Sequence, residues 1–238
     1  MYMSSISSPI INAYFQSDLF GKIIFLSLFL LSLTSWFILV QKIMITKRLD
    51  KFNINFEKKI FSSKENLLHI TLIDDATFPF YTLYTELKEK TLELLNKNKY
   101  FNKEDNNIYL TKSDIELIDN HLYNEITREV NSLEKNLFVL PTIVTLGPFI
   151  GLLGTVWGIL LTFNSLQSSS LMNNNSKILS SLAMALGTTV IGLIVAIPAL
   201  IAYNYLKNKI KNFHQEMEQF SHKLVTTVEI QYKKVDLA

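Results

Sequence analysis

The chain has 238 residues, 48% of them hydrophobic, and its mean hydropathy is positive. The formal net charge is only +2, and basic residues are interspersed with acidic ones, so the composition gives no support for binding nucleic acid. The chain contains no cysteine, which excludes a disulfide framework and a thiolate metal site.

Three long runs without a charged residue predict three transmembrane helices, at residues 21–42, 138–163 and 178–206. Each run supplies the roughly 20 mostly apolar residues that a helix needs to cross the hydrocarbon core. The first run has no basic segment before Lys22 and no small-residue cleavage site after it, so we expect it to remain as an anchor.

Lys and Arg are concentrated in two segments, which predicts the orientation in the membrane. Of 23 such residues, 15 lie from Lys42 to Lys135 and 6 lie after Leu206. The positive-inside rule then places residues 43–137 in the cytoplasm as a helical domain, and residues 207–238 there as a C-terminal helix. Residues 1–20, with a short interfacial helix, and the short loop 164–177 are predicted to be periplasmic.

Two apolar stripes predict helices outside the membrane. The first runs from Phe80 to Leu94 and follows Pro79, a residue favoured in the first turn of a helix. The second continues the third span into the cytoplasm at steps of three and four residues. Its members are Leu206, Ile210, Phe213, Met217, Phe220 and Leu224. We expect these stripes to be packing surfaces, and we expect residues 96–107 to form a solvated loop.

A third stripe leads into the second span. Ser113 and Glu116 have the spacing of a capping box, and apolar residues then recur at helical steps from Ile115 to Leu137. Nothing in the sequence ends this pattern before Pro141. We therefore expect one long helix that enters the membrane and bends at Pro141 or Pro148.

Glycine spacing distinguishes the second span. Gly147, Gly151, Gly154 and Gly158 follow at steps of four, three and four, which puts them on one side of a helix. Small residues at this spacing let helix backbones approach closely in a membrane. The third span has a matching face, formed by Ala185, Thr189, Gly192, Ala196 and Ala199. We expect these faces to join identical copies into a hollow bundle, with kinks at Pro148 and Pro198.

The three spans contain no Asp, Glu or His and no Lys or Arg away from their ends. There is no nucleophile–base pair and no phosphate-binding loop, and the four histidines have no metal-ligand spacing and are expected to be solvated. We therefore predict neither an enzyme nor a bound cofactor. Thr155 and Thr189 carry hydroxyls within the spans. From chemistry alone, a bond to a nearby carbonyl is favoured over a role in lining a polar path.

Two segments carry a resemblance to a known family. GPFIGLLGTVWGI at residues 147–159 and ALGTTVIGLIVAIPALIAYN at residues 185–204 resemble the paired signature of the MotA/TolQ/ExbB proton-channel family. SWFILVQK at residues 35–42 and ITREVNSLEKNL at residues 126–137 extend the likeness, most closely to TolQ.

The resemblance implies an all-α membrane protein that forms a pentameric ring in the bacterial inner membrane. The second and third spans would line a pore around a dimer of a TolR/ExbD-like one-span protein, whose membrane aspartate would be protonated by protons crossing the membrane. A TolA/TonB-like protein is a further implied partner. The family's pore threonines correspond to Thr155 and Thr189, and this correspondence favours the functional interpretation of both hydroxyls.

One position departs from the family pattern. Many TolQ and ExbB proteins carry a glutamate five residues before the threonine of the third span, where this chain has Met184. Our hypothesis is that the partner's aspartate is the only titrating group and that the ring supplies hydroxyls and shape. A Tol–Pal-type motor subunit is the first functional interpretation. An ExbB-like energiser of outer-membrane transport and a non-conducting membrane scaffold are the alternatives.

Overall fold

A computed structural model describes residues 9–62, 67–69, 78–101, 109–167 and 175–232. In these residues the regular elements are helices, apart from a single bridge residue at Leu110, which agrees with the predicted all-α class. The described ranges contain six α-helices and a 3-10 turn at Leu67–His69. The helices are α1 (Pro9–Gln16), α2 (Leu19–Ser62), α3 (Pro79–Phe101), α4 (Lys112–Glu134), α5 (Val139–Gln167) and α6 (Asn175–Tyr232).

Three helical stretches of the described chain are long and apolar enough to cross a membrane. They are Leu19–Ser62, Lys112–Gln167 and Ile178–Tyr232. The residues fall into two compact units: unit 1 comprises residues 1–42 and 136–206, and unit 2 comprises residues 43–135 and 207–238. Helices α2 and α6 contribute residues to both units.

Unit 2 is built around aromatic side chains from α2, α3 and α6. The rings of Phe80 and Phe220 stack with their centroids 4.3 Å apart, and the ring of Phe56 lies 6.3 Å from that of Phe220. All six members of the predicted stripe from Leu206 to Leu224 are buried, so the expected amphipathic continuation of the third span is confirmed. The predicted helix after Pro79 is confirmed as α3.

A buried tyrosine links α3 to the 3-10 turn in the same unit. The Tyr84 hydroxyl donates a hydrogen bond of 2.8 Å to the carbonyl oxygen of Leu67. Burial, with a smaller contribution from Tyr81, raises the pKa of Tyr84 to about 12. The hydroxyl therefore stays protonated at physiological pH and remains a donor to the 3-10 turn.

The capping box of α4 is two residues earlier than predicted. Thr111 is the N-cap: its hydroxyl accepts from the Asp114 amide at 3.2 Å, and the Asp114 carboxylate accepts from the Thr111 amide at 2.9 Å. The prediction of Ser113 and Glu116 was wrong because Asp114 has a further donor that the spacing rule cannot reveal. That donor is the Asn98 side chain, 2.9 Å away on α3. Helix α3 continues to Phe101, so the expected loop at residues 96–107 is helical in its first part.

Replacing Asp114 by Ala should lower the free energy of unfolding by about 1 kcal/mol at neutral pH, the usual cost of a lost cap. Burial alone would raise the pKa of Asp114, but hydrogen bonds from Asn98 and Thr111 outweigh it and lower the pKa below its ordinary value. A carboxyl whose pKa is lower in the folded state stabilises the protein at any pH above its pKa in the unfolded state. This stabilisation is lost as the pH falls through the pKa of the folded state. The difference between wild type and variant should therefore shrink in acid.

Thermal unfolding in detergent, followed by helical circular dichroism between neutral and acid pH, measures this difference. Asp119→Ala is the matched control, since Asp119 is an exposed carboxyl on the same helix. A constant difference at every pH would contradict the assigned role of Asp114.

The expected single helix through the third stripe is instead two helices. Helix α4 ends at Glu134 and α5 begins at Val139, with Asn136 between them at φ 66°. Asn is one of the few residues that enter this left-handed region at modest cost. Pro141 has no amide hydrogen, and its ring would clash with the carbonyl of residue 137 in a continuous helix. A new start at Val139 puts Pro141 in a first turn, where it is tolerated.

The predicted short helix near the N-terminus is confirmed as α1. The ends of α5 and α6 differ from the predicted boundaries of the spans. Helix α5 extends to Gln167 and α6 begins at Asn175, so both helices enter the polar segment 164–177; residues 168–174 lie outside the described chain. Both helices continue through Pro148 and Pro198 without a break, and kinks at these two residues remain predictions.

Candidate functional site

Helices α5 and α6 pack antiparallel at backbone contact distance in unit 1. A Cβ built on Gly192 would lie 2.5 Å from the carbonyl oxygen of Gly147, and one built on Gly158 would lie 2.6 Å from the Cβ of Ala185. Ala196 meets a Cβ built on Gly147 at 3.6 Å. Separations below about 3 Å leave no room for a side chain, so the contacts at Gly158 and Gly192 require glycine.

The glycine face therefore packs inside one chain. We expected it to join identical copies; instead its partner is the small-residue face of α6 in the same chain, with Gly147, Gly151, Gly154 and Gly158 all buried. The two faces match because the helices run antiparallel and small residues recur on both at the same steps. Large apolar side chains cover the outside of α5. They are Phe149, Leu152, Leu153, Val156, Leu160 and Phe163, each about half exposed or more.

The two predicted pore threonines both lie beside the Gly151 turn of α5. The Thr189 hydroxyl donates to the carbonyl oxygen of Gly151 at 3.1 Å, and the Thr155 hydroxyl donates to that of Leu152 at 2.6 Å. In an α-helix the Gly151 carbonyl is also the acceptor of the Thr155 amide, one turn later. Both side chains are half-buried and have acceptors within the chain, so their hydroxyl groups make structural hydrogen bonds there.

A third threonine was missed by the sequence analysis. Thr188 is fully buried, and its hydroxyl contacts the carbonyl oxygens of Ala185 at 2.8 Å and Gly151 at 3.3 Å. Its side chain occupies the space beside Gly154, where a Cβ would overlap the hydroxyl oxygen and lie 2.6 Å from the Thr188 Cβ. The available signal was that residue 188 is three residues after Ala185 and four before Gly192, and so shares their face.

A carboxylate lies against the other side of α5. The Asp18 Oδ1 atom accepts a hydrogen bond of 2.9 Å from the amide of Gly21 and caps α2, while Oδ2 accepts one of 2.9 Å from Trp157 Nε1. The Phe20 ring packs on the indole with centroids 4.5 Å apart. Two signals pointed to this contact: a tryptophan within a span needs an acceptor for its N–H, and Asp18 is the only acidic residue before Asp50.

Met184 lies beside the same corner. It is 1% exposed and packs with Ala13 and Phe25. A Cβ built on Gly21 would overlap the Met184 sulfur and lie 3.0 Å from Asp18 Oδ1. The position that carries glutamate in many proteins of the resembled family is therefore apolar here, but it borders a carboxylate supplied by another part of the chain.

Two carboxylates and one histidine form a cluster in unit 2 with the spacing of cation ligands. Glu86, His121 and Glu125 each place one ligand atom within 4.8 Å of the others, and His121 Nε2 is 2.9 Å from Glu86 Oε2. His121 is therefore half-buried and paired, where we expected it to be solvated. The Arg128 guanidinium lies 2.5 Å from Glu125 and already supplies the positive charge that a metal would bring. We interpret the cluster as an ion-pair network between α3 and α4.

The residues that match known proteins include helix α5 and most of helix α6. Residues 82–219 match the model of the MotA/TolQ/ExbB proton channel family. The chain is 46% identical over 79 residues to the biopolymer transport protein ExbB of Aquifex aeolicus, covering 33% of this chain and 53% of that protein. It is 37% identical over 101 residues to the Tol-Pal system protein TolQ of Haemophilus influenzae, covering 42% of this chain and 44% of that protein.

A longer alignment exists with a more distant relative. The chain is 27% identical over 226 residues to the biopolymer transport protein ExbB of Pseudomonas putida, which covers 90% of this chain and 62% of that protein. The chain thus spans about half to three fifths of the length of these curated relatives.

Proposed function

Because the chain belongs to the MotA/TolQ/ExbB proton channel family, we propose that it is the ring-forming subunit of a proton-driven complex in the bacterial inner membrane. In this proposal its N-terminus is periplasmic and its C-terminus cytoplasmic. Copies of the chain surround a dimer of a TolR/ExbD-like one-span protein that carries a membrane aspartate. A TolA/TonB-like protein passes the resulting motion to the cell envelope.

The observation that carries the proposal is that Thr155 and Thr189 both lie beside the Gly151 turn of α5. The Thr189 hydroxyl is bonded to the Gly151 carbonyl, Thr155 is one turn further along α5, and both side chains are half-buried on stretches of α5 and α6 that carry no charged residue. Hydroxyls both donate and accept hydrogen bonds, so they can bond to a carboxylate or to a water in either protonation state of the carboxylate. They can do so without placing a fixed charge in the membrane.

The proposed mechanism uses Thr155 as the movable donor. Its hydroxyl bonds to a carbonyl of its own helix. It can exchange this bond for one to the partner's carboxylate without breaking the backbone hydrogen bonds of the helix. Thr189, bonded to Gly151 across the helix pair, keeps α5 and α6 in register. One proton crossing a potential of 100 mV releases about 2.3 kcal/mol to drive movement between ring and partner.

Thr155→Val should reduce proton flux by about tenfold or more, equal to losing about 1.4 kcal/mol of barrier stabilisation. Valine keeps the shape and removes the hydroxyl. The measurement is proton uptake by liposomes that contain the complex purified with its one-span partner. Thr142→Val is the control, because its hydroxyl also bonds to its own helix but lies on a different side of α5. Full flux in the Thr155 variant would refute this role for Thr155.

The work that the complex performs has two candidates, because the relatives are named both TolQ and ExbB. We propose a Tol–Pal-type role, which keeps the outer membrane attached during division, as the first candidate. An ExbB-like role in energising outer-membrane transport is the second. Deleting the gene separates them: a division and outer-membrane defect supports the first, and loss of energised uptake alone supports the second. A complex that conducts no protons would instead support the scaffold.

A further inference from the structure

We propose that unit 1 carries a phospholipid site: a groove between α1, α2 and α6 holds one acyl chain, and Lys22 beyond its end binds the phosphate of an anionic headgroup. The proposal goes beyond proton conduction, because it requires only that unit 1 lies in a membrane. The three candidate spans and the family match support that placement.

The groove has the size and lining of a site for a hydrocarbon chain. Its volume is about 420 Å³, and residues of α1, α2 and α6 line it. The lining side chains are aliphatic or phenyl except those of Tyr14 and Ser32. An apolar cavity of about 150 Å³ stays dry and binds benzene, so this groove has room for a longer piece of hydrocarbon.

The groove is open to the outside of the protein. Leu26, Phe29 and Ile194 line it and are between 56% and 59% exposed, whereas Phe25 and Leu28 are buried and form its floor. In a bilayer the molecules that surround such a groove are lipids, whose acyl chains match its apolar walls. An acyl chain in the groove also gains dispersion contacts that an empty space cannot supply.

Lys22 provides a positive charge beyond one end of the groove. It precedes Phe25 by three residues and so lies on the same face of α2. The nearest acid in the sequence, Asp18, uses one carboxylate oxygen to accept from the Gly21 amide and the other to accept from the Trp157 indole. Among the described residues the Lys22 ammonium has no carboxylate partner, so it can bind a phosphate.

Distances along α2 match one leaflet of a bilayer. From Lys22 to Ser32, the last α2 residue of the groove, the helix rises about 15 Å at 1.5 Å per residue. The hydrocarbon core is about 30 Å thick, so 15 Å is the depth of one leaflet. The next Lys or Arg, Lys42, is about 30 Å from Lys22, at the far side of the core. An acyl chain that starts beside Lys22 therefore ends near the midplane, where the groove ends.

The first test measures the charge preference of the site. The purified protein in detergent is titrated with phosphatidylglycerol or with phosphatidylcholine, and bound lipid is counted by native mass spectrometry. Lys22→Gln should weaken binding of phosphatidylglycerol about fivefold, which converts to about 1 kcal/mol and is the size expected for one basic residue at an anionic surface. Binding of phosphatidylcholine, which has no net charge, should change little.

Lys211→Gln is the matched control, because it removes the same charge from an exposed residue of α6 in unit 2. A loss confined to Lys22→Gln supports the proposal. Equal losses in the two variants, or unchanged binding in Lys22→Gln, overturn the assignment of the phosphate to Lys22.

The second test fills the groove. Ser32→Phe places a ring among the lining residues and should weaken binding of both lipids several-fold. Leu33→Phe adds a ring at the next position of α2, which is 51% exposed and does not line the groove, and should bind both lipids as wild type does. Thermal unfolding of both variants checks that each is folded. Equal binding by the two variants would show that the acyl chain does not occupy the groove.

The third test uses the unmodified protein and so does not depend on a variant folding. Vesicles of phosphatidylcholine contain a small fraction of phosphatidylglycerol with a photoreactive group in its acyl chain, and peptide mass analysis locates the label. We expect the label to concentrate at residues 25–32 and 191–195. Even labelling of these residues and of the exposed Phe149 and Phe163 on α5 would overturn the proposal, because lipid would then act only as a solvent. An unlabelled groove would overturn it in favour of a second copy that covers these residues.

Discussion

Gly154→Ala should lower the free energy of unfolding by about 1–3 kcal/mol, the range for overpacking a close-packed site. The new methyl group would overlap the hydroxyl oxygen of Thr188 and lie within 3 Å of two more of its atoms. Thr188 is fully buried and bonded to carbonyls on both helices, so it has no space to move into. Helices α5 and α6 must separate, and every contact along their glycine face weakens with them.

Gly187→Ala provides the matched control for this change. A Cβ at residue 187 would meet Ala13 at 3.7 Å and Phe25 at 3.8 Å, which are ordinary contact distances. Alanine is favoured over glycine in helices by about 1 kcal/mol in water, so this variant should be as stable as wild type or more so. Thermal unfolding in detergent and recovery on size exclusion measure both variants.

A double variant tests the stated contact directly. Thr188→Gly removes all three atoms that crowd residue 154 and should itself be destabilising, because it leaves a cavity. Combined with Gly154→Ala, it should cost less than the sum of the two single changes, since the methyl group then fills the vacated space. Additive losses, or a Gly154 variant that behaves like the Gly187 variant, would contradict the assigned packing.

Phe220→Ala should destabilise unit 2 by about 3–5 kcal/mol, as expected for a large aromatic side chain removed from a core. Phe220 is 1% exposed and stacks on Phe80 with centroids 4.3 Å apart. The rings of Phe56 and Phe61 lie 6.3 Å and 6.1 Å from its own. Its loss leaves a cavity that rigid neighbouring helices cannot close.

Limited proteolysis of membrane vesicles measures this effect on unit 2. Residues 43–135 should be cleaved much faster in Phe220→Ala than in wild type. Tyr123→Ala is the control, because Tyr123 is an aromatic residue that is 57% exposed on α4. Equal protection of the Phe220 variant and wild type would show that the aromatic cluster does not hold this unit together.

Local sequence patterns predicted most of the helices. The apolar runs marked the three candidate spans, and the stripe from Leu206 to Leu224 marked the buried face of α6. The resemblance found in residues 147–159 and 185–204 is confirmed by the family match. Such predictions succeed because burial and helical periodicity depend on residues three or four positions apart, which the sequence displays directly.

Errors arose where something other than apolar spacing decides the local outcome. The capping box moved to Thr111 because Asn98, on another helix, supplies a donor to Asp114. The helix break at Asn136 combines a left-handed residue with the steric demand of Pro141, and apolar spacing carries no information about either. In both cases two local structures, two possible N-caps or a continuous and a broken helix, have similar local energy.

By itself, the sequence determined that the chain is helical, that three stretches suit a membrane, and that glycines line one side of α5. These properties follow from composition and spacing along the chain. Only the tertiary structure decided that the glycine face packs on α6 of the same chain, and that Asp18 meets Trp157, 139 positions away. The physical reason is that a glycine face can pack against many helices, and a carboxylate can accept hydrogen bonds from many donors. Which helix or donor is chosen depends on which backbones approach closely in the folded chain.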